Sequence, residues 1–176
     1  KGVAIHVFTG NHDMWMFDYF EQELGVKMHR KPIQKTWNGK QFMIGHGDGL
    51  GPGDHSYKLL KKVFSNALCI WLFKWIHPDL GMKLADFWSR KSRNANGPAD
   101  EIYNGDEKEW LLQYTKSVLK TEHFDYFIFG HRHLVLDKKV GEKSRYINLG
   151  AWFKNPHYAF FDGEELSLVP YSDVIS

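Results

Sequence analysis

The chain has 176 residues, 43% of them hydrophobic and 25% charged, which suffices for one proper core and is too balanced for a disordered segment. Lys and Arg exceed Asp and Glu by only two, so no global excess of positive charge points to nucleic acid, and none is expected as a partner. A single cysteine, Cys69, excludes an internal disulfide framework and a cysteine-rich zinc module, and no run of about 18 uncharged apolar residues is present to span a membrane.

The opening residues lack the long apolar stretch and cleavage site of a signal peptide. Val3 to Thr9 read as a strand already under way, ending in Gly10-Asn11-His12-Asp13. Asp18 to Leu24 predict a short helix stopped by Gly25. Ile33–Trp37 and Gln41–Ile44 flank Asn38-Gly39, a strong hairpin signal, and the second strand runs into Gly45-His46-Gly47-Asp48. From Tyr57, the apolar residues Leu60, Phe64, Ala67, Leu68, Trp71 and Trp75 recur at steps of three and four, which predicts a helix. After Pro78-Asp79 a second helix is expected over about Leu80 to Ser92, and Asn94 to Asp106 read as mostly loop. Asp106, with Glu109 three residues on, looks like a capping box opening a helix to about Lys120. Tyr126–Phe129 predict a short buried strand that ends in Gly130-His131-Arg132-His133. The remainder predicts a β-meander of Val135–Val140, Arg145–Leu149, Tyr158–Phe161 and Leu166–Tyr171, with a turn at Asp162-Gly163.

Three apolar strands therefore each stop at a glycine-flanked polar cluster. Strand ends along one edge of a sheet are where α/β proteins assemble sites. Glycine lets the backbone turn sharply and lets an ion or phosphate approach closely. Imidazoles from several such loops can converge on Zn²⁺, Mn²⁺ or Fe, while oxygen donors such as Asn and Asp favour harder ions. Any one cluster could be a turn carrying a surface histidine; three in this order are hard to assign to chance.

The order resembles the calcineurin-like metallophosphoesterase superfamily, whose pattern runs D-x-H, G-D-x-x-D, G-N-H-[DE], a G-H or H-G-D cluster, then G-H-x-H. The last three are met by Gly10–Asp13, Gly45–Asp48 and Gly130–His133. The resemblance implies a β-sandwich flanked by helices, and two divalent metal ions, Mn²⁺ in this family, about 3.5–4 Å apart. Matched motif by motif, Asn11, His46 and His131 would ligate one ion and His133 the other. His12 would sit at the phosphate as the catalytic residue, stabilising charge or protonating the leaving group. Asp13 and Asp48 would brace their loops. D-x-H and G-D-x-x-D do not occur in the sequence, so the expectation is an N-terminally truncated domain whose second metal site is incomplete and which is inactive by itself.

A helical insert at about 55–100, within a single domain spanning 1–176, discriminates among such enzymes. Residues 55–93 carry eight Lys/Arg against Asp79 and Asp86, a net of +6, leaving −4 for the rest of the chain. The same stretch holds Tyr57, Phe64, Trp71, Phe73, Trp75, Phe87 and Trp88. Basic helices with large aromatics suit an anionic lipid surface or an amphiphilic phosphate-bearing substrate, although such a stripe can also be core with solvated lysines around it. The insert is similar to that of the UDP-2,3-diacylglucosamine diphosphatase group of lipid A synthesis, through His46-Gly47-Asp48, Asp54, Tyr57, the basic turn Ser89 to Asn96, and Asn148-Leu149-Gly150-Ala151-Trp152. Two positions depart from that group: His12 stands where Arg is usual, and Ala99 where a cap lysine is usual.

That resemblance implies water attack on a pyrophosphate, releasing UMP and lipid X from the acylated nucleotide sugar. Asp54, Tyr57, Ser92 and Asn96 would contact the substrate and the apolar face would hold its acyl chains. It implies a cytoplasmic protein, peripheral on the inner membrane through the cap. Two other readings stay open: a metallophosphoesterase acting on another phosphoester such as a nucleotide or phosphoprotein, and a non-catalytic lipid-surface-binding fragment. Nothing in the sequence sets an oligomeric state.

Overall fold

The framework is a five-stranded sheet whose central strand is sealed on both faces. The computed structural model describes residues 2–53, 55–96 and 101–174. The chain divides into two compact units, Lys1–Pro52 with Tyr103–Ser176, and Gly53–Ile102.

The first unit opens with β1 (His6–Phe8), α1 (Tyr19–Leu24) and β2 (Lys27–His29), a parallel two-stranded pair joined through the helix. Strand β1 is shorter than the sequence predicts, and β2, three residues without an alternating pattern, was not predicted. Gly25 ends α1 in the left-handed region, as expected. Next come β3 (Ile33–Trp37) and β4 (Lys40–Gly45), paired antiparallel about Asn38 and Gly39. Both turn residues have positive φ, 48° and 77°, which matches the twist of a tight hairpin.

The large sheet runs β3-β4-β5-β7-β6, with β5 at Tyr126–Phe129, β6 at Val135–Val140 and β7 at Ser144–Leu149. Strands β4, β5 and β7 are mutually parallel, and Gly45, Phe129 and Asn148 lie in register across them. Every residue of β5 is buried, as its unbroken apolar run requires. Its side chains alternate between two cores. Phe127 and Phe129 join Met43, Tyr146, Leu111 and Leu112, the last two from α5 (Trp110–Val118). Tyr126 and Ile128 join Phe42, Ile147 and Leu166, packed against Ala159, Phe161 and Leu168 of the hairpin β8 (His157–Phe161) and β9 (Leu166–Pro170). Helix, sheet and hairpin are thus three layers of a mixed α/β fold, in keeping with the β-sandwich flanked by helices that the resemblance implies.

Two expectations for this unit are corrected. The C-terminal strands form no meander: β7 pairs antiparallel with β6 but parallel with β5, and β8–β9 form a separate sheet. The Asp106–Glu109 capping box does not form either. Tyr103 and Lys138 both donate to the Asp106 carboxylate, holding its pKa below the usual range, and Glu109 occupies the N-cap position of α5 without a capping bond.

The second unit contains α2 (His55–Phe64), α3 (Ala67–Lys74) and α4 (Pro78–Asn96). The single helix expected from Tyr57 to Trp75 is broken at Asn66, whose Oδ1 accepts from the backbone N–H groups of Leu68 (2.9 Å) and Cys69 (3.2 Å). That N-cap satisfies the donors a new helix start leaves open. Helix α4 also runs past the expected end at Ser92, so Ser89 to Asn96 continue a helix rather than form a turn. Phe64 and Trp88 rings meet at 5.1 Å inside this unit. No side chain of α3 is buried. Among the described residues no helix is long and apolar enough to cross a membrane.

Candidate functional site

β4 and β5 are parallel and in register, so their following loops leave from one edge of the large sheet, and the loop after β1, a strand of the separate two-stranded sheet, meets them there. Gly130 donates its backbone N–H to the carbonyl of His46 at 3.0 Å, which ties the second and third clusters together. His46 Nε2 lies 3.3 Å from Asn11 Oδ1, which ties in the first. The His46 and His131 rings stand edge to face, with centroids 5.3 Å apart. Asn11, His46 and His131, spread over 120 residues of sequence, therefore come together.

The approach is close enough to require glycine at position 10. A Cβ there would fall 2.8 Å from both Cε1 and Nε2 of His46. The Asp13 carboxylate accepts the Gly10 backbone N–H, so it closes the turn of its own loop. Asp48 is buried, at 7% exposure, directly after the His46-Gly47 turn.

His131 is the most perturbed group of the three. Burial, then the neighbouring His46, pushes its pKa down to about 4; Asp48 opposes the shift, while Arg132 and His133 add to it. A neutral imidazole is the form that can donate a lone pair to a cation. One amide oxygen and two imidazoles, gathered in a cradle that a methyl group would fill, suit a divalent ion of intermediate hardness. Among the described residues no group of three His, Cys, Asp or Glu side chains is placed to hold a metal.

The other expected site residues do not share the contacts of these three. His12 is exposed. His133 is also exposed, and its ring stands edge-on to Phe153 at 5.6 Å. Tyr57 is on α2, in the other unit. Asp54 lies outside the described residues, and so do the side chains of Ser92 and Asn96, whose backbone belongs to α4.

Sequence reasoning missed the buried polar groups behind the loop after β5. Arg132 and Glu109, 4% and 2% exposed, form an ion pair at 3.4 Å, and Arg132 lies over the Trp110 ring at 4.9 Å. The Tyr146 hydroxyl donates to Glu109 at 3.4 Å, and burial followed by the Glu109 charge raises its pKa. Asn148 donates from Nδ2 to the Gly130 carbonyl at 2.7 Å and accepts the Gly150 N–H on Oδ1 at 3.1 Å. An asparagine inside the apolar run Ile147–Leu149 was the available signal; nothing in the sequence pairs Glu109 with Arg132.

No protein-family model matches the chain. It is 35% identical, over 99% of its length and 71% of the relative's, to the UDP-2,3-diacylglucosamine hydrolase of Porphyromonas gingivalis. The enzyme of the same name from Pseudomonas putida is 23% identical over 97% of the chain and 71% of that relative. Among solved structures, wild-type Vps29 of Entamoeba histolytica, complexed with Zn²⁺, aligns at a TM-score of 0.33 and 14% identity, covering 84% of this chain and 54% of that one, a likeness too slight to build on.

Proposed function

We propose, on the premise that this chain belongs to the family of UDP-2,3-diacylglucosamine hydrolases, that it hydrolyses the pyrophosphate of UDP-2,3-diacylglucosamine to UMP and lipid X. The observation that carries this reading is the convergence of Asn11, His46 and His131 from three separate strand ends.

Those three residues would hold one divalent ion, with Mn²⁺ the expected identity, and His133 would belong to a second. Such ions supply Lewis acidity, neutralising charge on the phosphoryl oxygens and lowering the pKa of an attacking water. The protein's part is positioning. Asn11 contributes a hard oxygen donor, and burial keeps His131 neutral so that no proton must leave before it binds. His12, next to Asn11 in sequence and exposed, would give a proton to the departing oxygen or balance its charge. Asp13 holds the turn that presents both.

The second unit is read as the element that meets the lipid. Trp71 and Leu72, on a helix with no buried side chain, are 53% and 52% exposed, and Trp75 at its C-cap is 76% exposed, in a segment of net charge +6. Apolar rings beside lysines suit acyl chains and an anionic membrane surface, which supports peripheral attachment at the cytoplasmic face of the inner membrane. Asp54, Tyr57, Ser92 and Asn96 are proposed to contact the substrate.

The deciding assay is Mn²⁺-dependent release of UMP from the diacylated nucleotide sugar by the full-length protein. UMP release that disappears on chelation is the expected result. Cleavage of simple phosphodiesters with no UMP release would assign the site to a different phosphoester.

A further inference from the structure

The loop that carries His131 is held in a conformation the chain would not choose unaided. His131 has φ +66°, in the left-handed region, and the Arg132 N–H donates to the Gly130 carbonyl at 2.8 Å, so His131 is the central residue of a γ-turn. The positive-φ form of that turn is rare and strained for a residue other than glycine. Such a conformation persists only where its surroundings over-determine it.

The surroundings that do so are polar and buried. Asn148 holds the Gly130 carbonyl on one side of His131, and the Glu109 carboxylate, with the Trp110 ring, holds the Arg132 guanidinium on the other. Tyr146 links the two supports, bonding to Glu109 and lying 3.4 Å from Asn148 Nδ2. A charged pair this deep is poor value for stability alone, since apolar residues of similar volume usually serve as well or better. Here the pair fixes the residue that follows His131, and with it the direction of the imidazole toward His46, 5.3 Å away.

We propose that Glu109 is a positioning residue for the metal centre: by gripping Arg132 it fixes the γ-turn that aims His131 at His46 and Asn11. This rests on the reading of those three side chains as metal donors. It separates two functions of one carboxylate, since the pair can be removed for folding without being replaced for aiming.

The test measures Mn²⁺ affinity of the full chain, with each variant held well below its own melting temperature. Glu109→Gln removes the buried negative charge that faces Arg132 at 3.4 Å, so it is expected to lose stability and to bind Mn²⁺ about tenfold or more weakly, the range seen when a ligand loses its support. The double variant Glu109→Leu/Arg132→Met removes both charges and is expected to regain stability without regaining affinity. Tyr146→Phe, which deletes one hydroxyl and keeps the pair, is expected to weaken Mn²⁺ binding less than either. A double variant that binds Mn²⁺ as tightly as the unaltered chain overturns the inference and leaves Glu109 a purely structural residue. An unaltered chain that binds no Mn²⁺ overturns the metal reading, and this inference with it.

Discussion

His46 Nε2 stands 3.3 Å from Asn11 Oδ1, across 35 residues of sequence and between loops that follow strands of different sheets. The contact depends on the missing side chain of Gly10, because a Cβ there would come within 2.8 Å of the His46 ring. Gly10→Ala is therefore expected to fold, since the groups that have to give are side chains, the His46 imidazole and, by less, the Asp13 carboxylate at 3.2 Å. It should bind Mn²⁺ about tenfold or more weakly, because the ring is pushed from its partner donor. Isothermal titration with Mn²⁺ checks this, with far-ultraviolet circular dichroism as the control for folding.

The depressed pKa of His131 makes a prediction about acid stability. A histidine near 4 in the folded chain and near 6.5 when unfolded takes up a proton more readily on unfolding. Its contribution is present above about pH 6.5 and is lost as the pH falls toward 4. Between pH 7 and pH 4.5 the loss is about 2 kcal/mol. Urea unfolding of the metal-free chain at both values should show it, and the His131→Asn variant should lose about that much less over the same interval.

Much of this arrangement was legible in the sequence, and the reason is chemical. The run Tyr126–Phe129 could only be a doubly covered strand, and Asn38-Gly39 could only serve a tight turn of positive φ. Likewise, three polar clusters after three apolar runs pointed to one site, though the first follows a strand of a separate sheet rather than sharing one sheet edge with the others. What the sequence concealed was long-range pairing. The Asp106 side chain found Lys138 and Tyr103 rather than a helix terminus. Strand β7 found β5, which dissolved the expected meander. Glu109 and Arg132 were visible as residues but not as a pair, because 23 positions and a change of element separate them. The break at Asn66 was masked by an apolar period that continues at steps of three and four across it.

That break gives a local prediction. Asn66→Ala removes the acceptor for two backbone donors at the start of α3, at a cost of about 1 kcal/mol. Helix α3 has no buried side chain to compensate. Amide hydrogen exchange over Ala67–Lys74 should quicken about fivefold, the rate equivalent of that free energy. Exchange in the buried strand β5 should not change.

The exposed rings of α3 lead to a test of substrate handling. Trp71 and Trp75 meet edge to face at 5.8 Å and are 53% and 76% exposed. Replacing both with Ser should move stability by no more than about 0.5 kcal/mol, as for most surface changes. If these rings hold acyl chains, KM for the diacylated substrate should rise about tenfold, equivalent to burying a modest apolar area. A short-chain analogue should be little affected. Equal loss for both substrates would show that the rings serve the structure of their own unit.

The central claim is that Asn11, His46 and His131 hold one metal ion between them, and paramagnetic broadening by Mn²⁺ tests it most directly. Titrating Mn²⁺ into the ¹⁵N-histidine-labelled chain should broaden the His46 and His131 imidazole signals together at one concentration, and His46→Ala should abolish the effect at His131. Broadening of His131 that survives His46→Ala unchanged, or signals for His46 and His131 that respond at different concentrations, would contradict a shared site.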